Sequence, residues 1–207
     1  MKLSILIPVW NQERLVINAL DHLPRRNDVE VLVRDDGSTD NTLANLLTYH
    51  VEHPEFDLRI FSNGCNRGVA YTKNRLLEHA EGTYFHIHDS DDYVDTEAYE
   101  RMIDGLTDDG PDIIAFDLII NDGSVIRLTE KEHMLHPAQI ARFIRTDFVD
   151  GMKYPEHIRS GDDKLFNDEM QGRHPRYVFT GQAFYHYNYP REGSLSDLLD
   201  KGVYPPV

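Results

Sequence analysis

Cysteine is nearly absent, Cys65 being the single one in 207 residues. No internal disulfide can form, and a reducing, cytoplasmic setting is the expectation. Positive charge is also short, with 21 Lys plus Arg against 36 Asp plus Glu and a formal net charge of −15. A field of that sign repels phosphate backbones and anionic lipid, so nucleic acid or a membrane surface would need a local basic patch. The densest basic stretches are Arg25-Arg26 and the scattered Arg173, His174 and Arg176. These are thin, so nucleic acid is not expected as a partner, although a modified-base acceptor stays open. Long apolar runs are missing too. Leu3–Val9 is too short for a signal core and leads into polar Asn11-Gln12-Glu13-Arg14 without a small-residue cleavage site. No stretch approaches the roughly 20 residues that cross a bilayer, so no integral membrane segment is expected.

Several nucleotide and nucleophile signatures are absent as well. The first strand is not followed by G-x-G-x-x-G, no P-loop occurs, and no Ser or Cys stands in a nucleophile elbow. Dehydrogenase-type and P-loop chemistry are set aside on that ground.

What remains is a regular alternation. Leu3–Val9 is nearly all apolar, as a strand buried on both faces should be. Leu15, Val16, Ala19, Leu20 and Leu23 then recur at helical spacing up to Pro24. Strand-like Val29–Arg34, a helix carrying Leu43, Leu46, Leu47 and Val51, and strand-like Leu58–Ser62 follow. After an Asn63–Gly68 loop come a helix through Leu76, Leu77 and Ala80 and a fourth strand, Thr83–His88. This order predicts an α/β fold with a mostly parallel central sheet, right-handed crossovers and helices on both faces. Beyond it, Ile113–Asn121 and Val125–Leu128 read as a hairpin, Ala138–Ile144 as a helix, and Asp162–Met170 as another helix. Tyr177–Phe179 and Ala183–Tyr189 read as short closing strands. One domain over 1–207 is expected, with a nucleotide-binding half at 1–106 and a small acceptor-side lobe at 107–207.

In parallel sheets ligands gather at the carboxyl ends of the strands. Those ends carry Trp10-Asn11, Asp35-Asp36, Asn63 and Asp89-Ser90-Asp91-Asp92. Three carboxylates closing a buried strand repel one another unless a cation or hydrogen bonds satisfy them. Mg2+ and Mn2+ take such hard oxygen ligands and share them with substrate phosphates. A solvated turn with Asp95 capping the next helix is the plainer alternative. An EF-hand fits Asp89, Asp91 and Glu100, but Val94 stands where that loop needs Gly and Tyr93 occupies another ligand position. Asp35-Asp36-Gly37-Ser38 alone is ordinary turn chemistry, yet a carboxylate after the second strand can accept hydrogen bonds from a nucleoside.

Taken in order, Ser4 to Asn11 (SILIPVWN), Asp35 to Thr42 (DDGSTDNT), Asn66-Arg67-Gly68, Thr72-Lys73-Asn74 and Asp89 to Asp92 resemble the nucleotide-sugar half of a family 2 glycosyltransferase with the Rossmann-like GT-A fold. The resemblance covers about the first hundred residues closely. It implies a metal-dependent transfer from a nucleoside-diphosphate sugar, UDP-linked most commonly, to an acceptor hydroxyl, by single displacement with inversion. It implies that Pro8, Trp10 and Asn11 line the nucleoside pocket and that Asp35 or Asp36 binds the base. Lys73, standing where the family usually has Arg, and Arg191 join the donor set. So do Asp89, near the ribose, and Ser90. Asp91 would bind Mn2+ or Mg2+.

In the acceptor half, Ser160-Gly161-Asp162-Asp163-Lys164-Leu165-Phe166 matches the segment that bears the family's base, with Asp162 in the position of Glu and Asp163 in that of the base. An acidic first helical turn is the bland alternative. Tyr185-His186-Tyr187 with Arg191 to Ser196 resembles the closing aromatic–Arg–Ser segment. His186 would then be a third metal ligand, a phosphate contact, or a packed strand histidine. The acceptor is a carbohydrate or another hydroxyl-bearing molecule, and a homo-oligomer could complete its site. A non-catalytic nucleotide- or metal-binding module is the rival reading. A sugar nucleotidyltransferase is weaker, because Trp10-Asn11-Gln12-Glu13 is not a Gly-rich basic loop.

Overall fold

A computed structural model describes residues 2–128, 139–158, 161–192 and 201. The first half alternates as its apolar runs predict: β1 (Leu3–Val9), α1 (Leu15–Asp21), β2 (Val29–Asp35), α2 (Thr42–Glu52), β3 (Leu58–Ser62), α3 (Val69–Leu77) and β4 (Tyr84–Ile87). These strands pair in parallel in the order β3-β2-β1-β4. All seven residues of β2 are buried; Val29, Val31, Leu32 and Val33 join the apolar clusters, while Glu30 accepts from the Ser4 hydroxyl and Arg34 and Asp35 find polar partners at the strand's exit. Helices and loops cover both faces. Leu3, Ile5 and Ile7 point into one apolar cluster with Phe116, Phe143 and Tyr185, while Leu6, Leu32 and Phe85 face the other with Phe166 and Met170.

The second half extends the same sheet. β5 (Tyr93–Val94), α4 (Thr96–Asp104), β6 (Ile113–Ile120), β7 (Val125–Ile126), β8 (Arg142–Arg145), α5 (Asp162–Gly172) and β9 (Tyr177–Tyr187) follow. The path continues β4-β8-β6-β9-β5, with β7 hairpinned onto β6. β8 runs antiparallel to both its neighbours, and β9 runs parallel to β6. The sheet is therefore parallel through β3-β2-β1-β4 and mixed beyond them. Asp95 caps α4 by accepting a hydrogen bond from the Ala98 backbone N–H.

Two local expectations are corrected. Ala138–Ile144 is not a helix: Ala138 lies outside the described residues, Gln139–Ala141 form one 3-10 turn, and Arg142–Arg145 are β8. The edges of β4 and β6 both need a ladder partner, and this segment supplies it to both, overriding its helical look. The two closing strands are one, β9. It runs through an irregularity where Gly181 takes φ 64°, and the register against β6 shifts between Ala115 and Leu118.

His86 and His88 lie side by side in the core on β4's end, fully buried. His86 Nδ1 meets the Tyr99 hydroxyl at 2.6 Å and Nε2 meets the Ile140 carbonyl at 2.7 Å. A carbonyl only accepts, so Nε2 carries the proton and Nδ1 accepts from Tyr99. Burial pulls the pKa of His86 down to about 3 and that of His88 to about 4. Both stay neutral in the fold, whereas in the unfolded chain they gain protons below about pH 6.5. Each therefore withdraws stability as pH falls from 6.5 towards its folded pKa, at about 1.4 kcal/mol per pH unit. A His86→Phe variant, destabilised at pH 7.5 by loss of two hydrogen bonds, is expected to close that gap with the native chain steadily as pH falls from 6.5 to 4. Urea unfolding across that range checks it, and parallel stability curves would contradict it.

Candidate active site

The carboxyl ends of β1, β2 and β3 are tied into one platform. Asn11, at φ 51°, donates from its backbone N–H to Ser38 Oγ at 2.9 Å, and its Oδ1 accepts from the Thr39 N–H at 2.8 Å. Asp35 accepts from the N–H groups of Gly37 and Ser38, closing its own turn. Asp36 accepts from Asn63 Nδ2 and from the N–H groups of Arg67 and Gly68, so it holds the 63–68 loop. Gly37, at φ 69°, packs against this loop so closely that a Cβ would run into the Cys65 backbone. Asn11 and both aspartates thus have protein partners already, and Pro8 and Trp10 stand half-buried beside them on the exit of β1.

The Asp89–Asp92 turn after β4 is held by the far end of β9. The Tyr185 hydroxyl donates to Asp92 Oδ2 at 2.7 Å and accepts from the Asp89 N–H at 3.1 Å. Asn188 donates its backbone N–H to Asp92 Oδ1 and its Nδ2 to the Asp91 carbonyl. Arg191 sets Nε 2.8 Å and Nη2 2.7 Å from Asp91 Oδ2. Asp92 is consequently an anchor. Burial and its neighbours Asp89 and Asp91 push its carboxyl well above the ordinary range, against the Asn188 and Tyr185 hydrogen bonds. Ser90 is buried in the same turn. Asp89 has no hydrogen bond to its carboxylate from any described residue, and burial followed by the Asp91 charge raises its pKa to about 7.

Lys73 does not stand free for a phosphate. From α3 its Nζ reaches Asp162 Oδ2 at 2.9 Å and Asp163 Oδ1 at 2.5 Å, on the first turn of α5. Burial works against the ammonium, but Asp163 and then Asp162 outweigh it and hold Lys73 well above its ordinary pKa. Asp163 is raised above the usual carboxylate range by burial, with Lys73 opposing and Asp162 adding to the shift. The acid pair is not a cap, since Gly161, at φ 81°, is the residue before the helix and no side-chain capping bond forms. Lys73 also lies 5.1 Å from the Tyr154 ring centroid, and that ring stacks on Phe166 at 4.1 Å. Asn74 fixes the Tyr154 backbone from both sides, Nδ2 to its carbonyl at 2.9 Å and Oδ1 from its N–H at 2.8 Å.

Lys73, Asp162, Asp163 and Asp89 share one electrostatic neighbourhood, since the first three all act on the Asp89 carboxyl together with Asp91. His186 is not brought to it. Strand alternation sends Tyr185 towards Asp92 and His186 to the other face, where it stacks on Tyr93 with centroids 4.3 Å apart and 6° between planes. Burial lowers the His186 pKa there, Asp95 opposing and His22 adding to the shift. Gly193–Ser196 of the closing segment lie outside the described residues. Tyr185, Asn188, Tyr154 and Asn74 are the residues that sequence reading left without roles. Only Asn74 and Tyr185 sat in motifs that could have flagged them.

Among the described residues no three His, Cys, Asp or Glu side chains form a metal cage by themselves. The turn does fit a shared cation. It offers hard oxygens, and Asp89 is a half-buried carboxylate beside Asp91 to which no described residue donates. Two protein ligands completed by substrate phosphates is how Mg2+ and Mn2+ are usually held.

A family model described as Glycosyl transferase family 2 matches residues 4–171. Among curated proteins, the poly(ribitol-phosphate) beta-N-acetylglucosaminyltransferase TarS of Staphylococcus aureus is 26% identical, over 93% of this chain and 36% of its own length. The poly(ribitol-phosphate) beta-glucosyltransferase of Bacillus spizizenii is likewise 26% identical, over 93% and 33%. The chain thus spans about a third of those relatives. Among solved structures, S. aureus TarS 1-349 in complex with UDP-GlcNAc superposes with a TM-score of 0.80 at 23% identity, covering 94% of this chain and 60% of that one. A Pyrobaculum calidifontis mannosyltransferase in complex with GDP-Man and Mn2+ gives 0.73 at 17% identity, over 93% and 58%. The fold is that of the GT-A glycosyltransferases. No helix among the described residues is long and apolar enough to cross a membrane.

Removing the Lys73 ammonium leaves buried Asp162 and half-buried Asp163 without their shared cation. Lys73→Met is expected to lose roughly 3–5 kcal/mol of stability at pH 8. The deficit should shrink at pH 5 as the orphaned acids take up protons, whereas a pH-independent deficit in urea titrations would assign the loss to packing alone.

Proposed function

The chain belongs to glycosyl transferase family 2, and from that membership we propose that it moves a sugar from a nucleoside-diphosphate donor to an acceptor hydroxyl with inversion at the anomeric carbon. UDP-GlcNAc is the donor to test first, and a phosphate-linked polyol chain the first acceptor, after the relatives named above. The observation that carries the reading is the acid pair Asp162–Asp163, seated on Lys73 and facing the Asp89–Asp92 turn across a shared field.

In this reading the acceptor oxygen attacks the anomeric carbon while the bond to the diphosphate breaks, and the hydroxyl proton passes to the Asp163 carboxylate. Burial that raises the Asp163 pKa makes it a better proton acceptor than an ordinary aspartate. Lys73 fixes the carboxylate through Oδ1, and Asp162 balances the ammonium so that Asp163 is not fully neutralised by it. Asp91 and Asp89 would hold Mn2+ or Mg2+, which neutralises charge on the departing diphosphate when bound. Arg191, already at Asp91, brings a guanidinium within reach of the same phosphates. Pro8, Trp10 and the Asp35–Asp36 platform would receive the nucleoside.

Asp163→Asn is expected to lower turnover by about 10²–10⁴-fold while UDP affinity, read by calorimetry with Mn2+, stays unchanged. Since the base works deprotonated and its pKa lies above the usual carboxylate range, kcat/KM should rise with pH along an acid limb, and Asp163→Asn should keep only the part that Asp89 contributes. Full turnover in that variant would remove Asp163 as base. UDP binding with no turnover under any donor would favour a non-catalytic module.

A further inference from the structure

A second set of charges lies outside this machinery. On α3 and the loop before it, Arg67, Tyr71 and Arg75 follow one another at four-residue spacing, which stacks them along one helix face. The guanidinium groups of Arg67 and Arg75 lie 4.7 and 5.3 Å from the Tyr71 ring centroid. Arg34, from β2, joins them. It lies 4.8 Å from the centroid of Phe61, whose ring stacks on His79, and donates to Asn63 Oδ1 at 3.1 Å. Lys153 adds a fourth cation 3.8 Å from Glu78, the carboxylate that pairs with Arg75 at 2.5 Å.

This stripe is undercompensated. Arg34 is only 9% exposed, and the Nε atoms of Arg34 and Arg75 are buried with no hydrogen-bond partner. Burial pulls the Arg34 guanidinium below its ordinary pKa, Arg75 adding to the shift against Tyr71 and Glu78. Those Nε atoms are closed to any outside anion, but the four cations share one paired carboxylate, Glu78, and Arg67 and Lys153 are exposed. In a chain of net charge −15, a local reversal of sign is a recognition feature more than a solubility one.

We propose that Arg34, Arg67, Arg75 and Lys153 form a subsite for the phosphates of a phosphodiester-linked acceptor chain, separate from the donor's diphosphate site. The Asp89–Asp92 turn ends β4, two strands away from β2 in the order β2-β1-β4, or about 10 Å. A diphosphate seated on that turn would therefore leave the stripe empty. The stripe is nonetheless continuous with the Asp35–Asp36 platform and shares α3 with Lys73. Asn63 bonds both Arg34 and Asp36, and α3 carries Lys73 on its inner side. Guanidinium groups match phosphate oxygens in paired hydrogen bonds. The aromatic rings here are already engaged, Tyr71 by two arginines and Phe61 by Arg34 and His79, so they offer no platform for nucleobases. The acidic remainder of the surface repels a bilayer or a duplex, whereas a single thin chain touches the stripe alone.

This proposal rests on the glycosyltransferase reading for the word acceptor, and its test separates the two. The probe is a fluorescent synthetic glycerol-phosphate hexamer, titrated by anisotropy against the whole chain, with UDP and Mn2+ calorimetry on the same samples. Binding is expected to weaken as salt rises and to fall roughly ten- to a hundredfold in an Arg75→Ala, Lys153→Ala double variant, with UDP affinity unchanged. Lys153→Ala should give a smaller loss. Equal hexamer binding by native and double variant, while both still bind UDP, overturns the subsite and leaves the enzyme reading standing. Preference for a single-stranded oligonucleotide, or for vesicles of anionic phosphatidylglycerol, over the hexamer also overturns it. Failure of UDP to bind any of the proteins counts against the enzyme reading, and the variants' hexamer affinities still decide the anion site.

Discussion

A lysine ammonium with its carboxylates, shut away from water, organises this molecule. Lys73 comes from the parallel half, and Asp162 and Asp163 lie 89 and 90 residues further on, at the head of α5. An ammonium moved out of water costs several kcal/mol, and so does each carboxylate, so none is tolerable there without the others. The ion pair therefore specifies how the second half docks on the first. Asn74 and Tyr154 serve the same junction, because the Asn74 amide pairs with the Tyr154 backbone as a strand neighbour would. Tyr154 in turn stacks on Phe166 of α5, so the acid pair has little freedom to drift away from Lys73.

The parts legible in the sequence are those whose environment is set locally. β1 and β2 are buried on both faces, and their apolar residues, Leu3, Ile5, Leu6, Ile7 and Val9 in one and Val29, Val31, Leu32 and Val33 in the other, mark them as interior strands. The polar residues at their exits mark the working edge for the same reason, since a parallel sheet collects its turns there. Illegible parts depend on neighbours distant in sequence. Arg142–Arg145 becomes a strand because two open ladders flank it, and nothing within seven residues announces that. Lys73 reads as a phosphate ligand until α5 is folded against it. His186 sits beside the correct residue but one step out of phase, and a single step in a strand reverses the face. The basic stripe escapes a search for contiguous charges because β2, the 63–68 loop, α3 and the Lys153 segment each supply one cation.

The last strand shows how the three aspartates after β4 acquire different characters from one turn. β9 reaches back to satisfy Asp92 with Tyr185 and Asn188, and Arg191 leans on Asp91. Among the described residues none donates to the Asp89 carboxylate, and burial with the Asp91 charge raises its pKa to about 7. The turn is thus short of one positive charge, while the surface of α3, about two strand spacings across the sheet, is short of negative charge. Neither imbalance would persist as packing, since moving one carboxylate or one guanidinium into water would remove it at little cost. Each is held in place by side chains whose own bonding is complete: Tyr185 and Asn188 on one side, Asn63 with Phe61 on the other. Opposite charge deficits held at a fixed separation suit two different ligands, a cation-bound diphosphate at the turn and a second anion at the stripe.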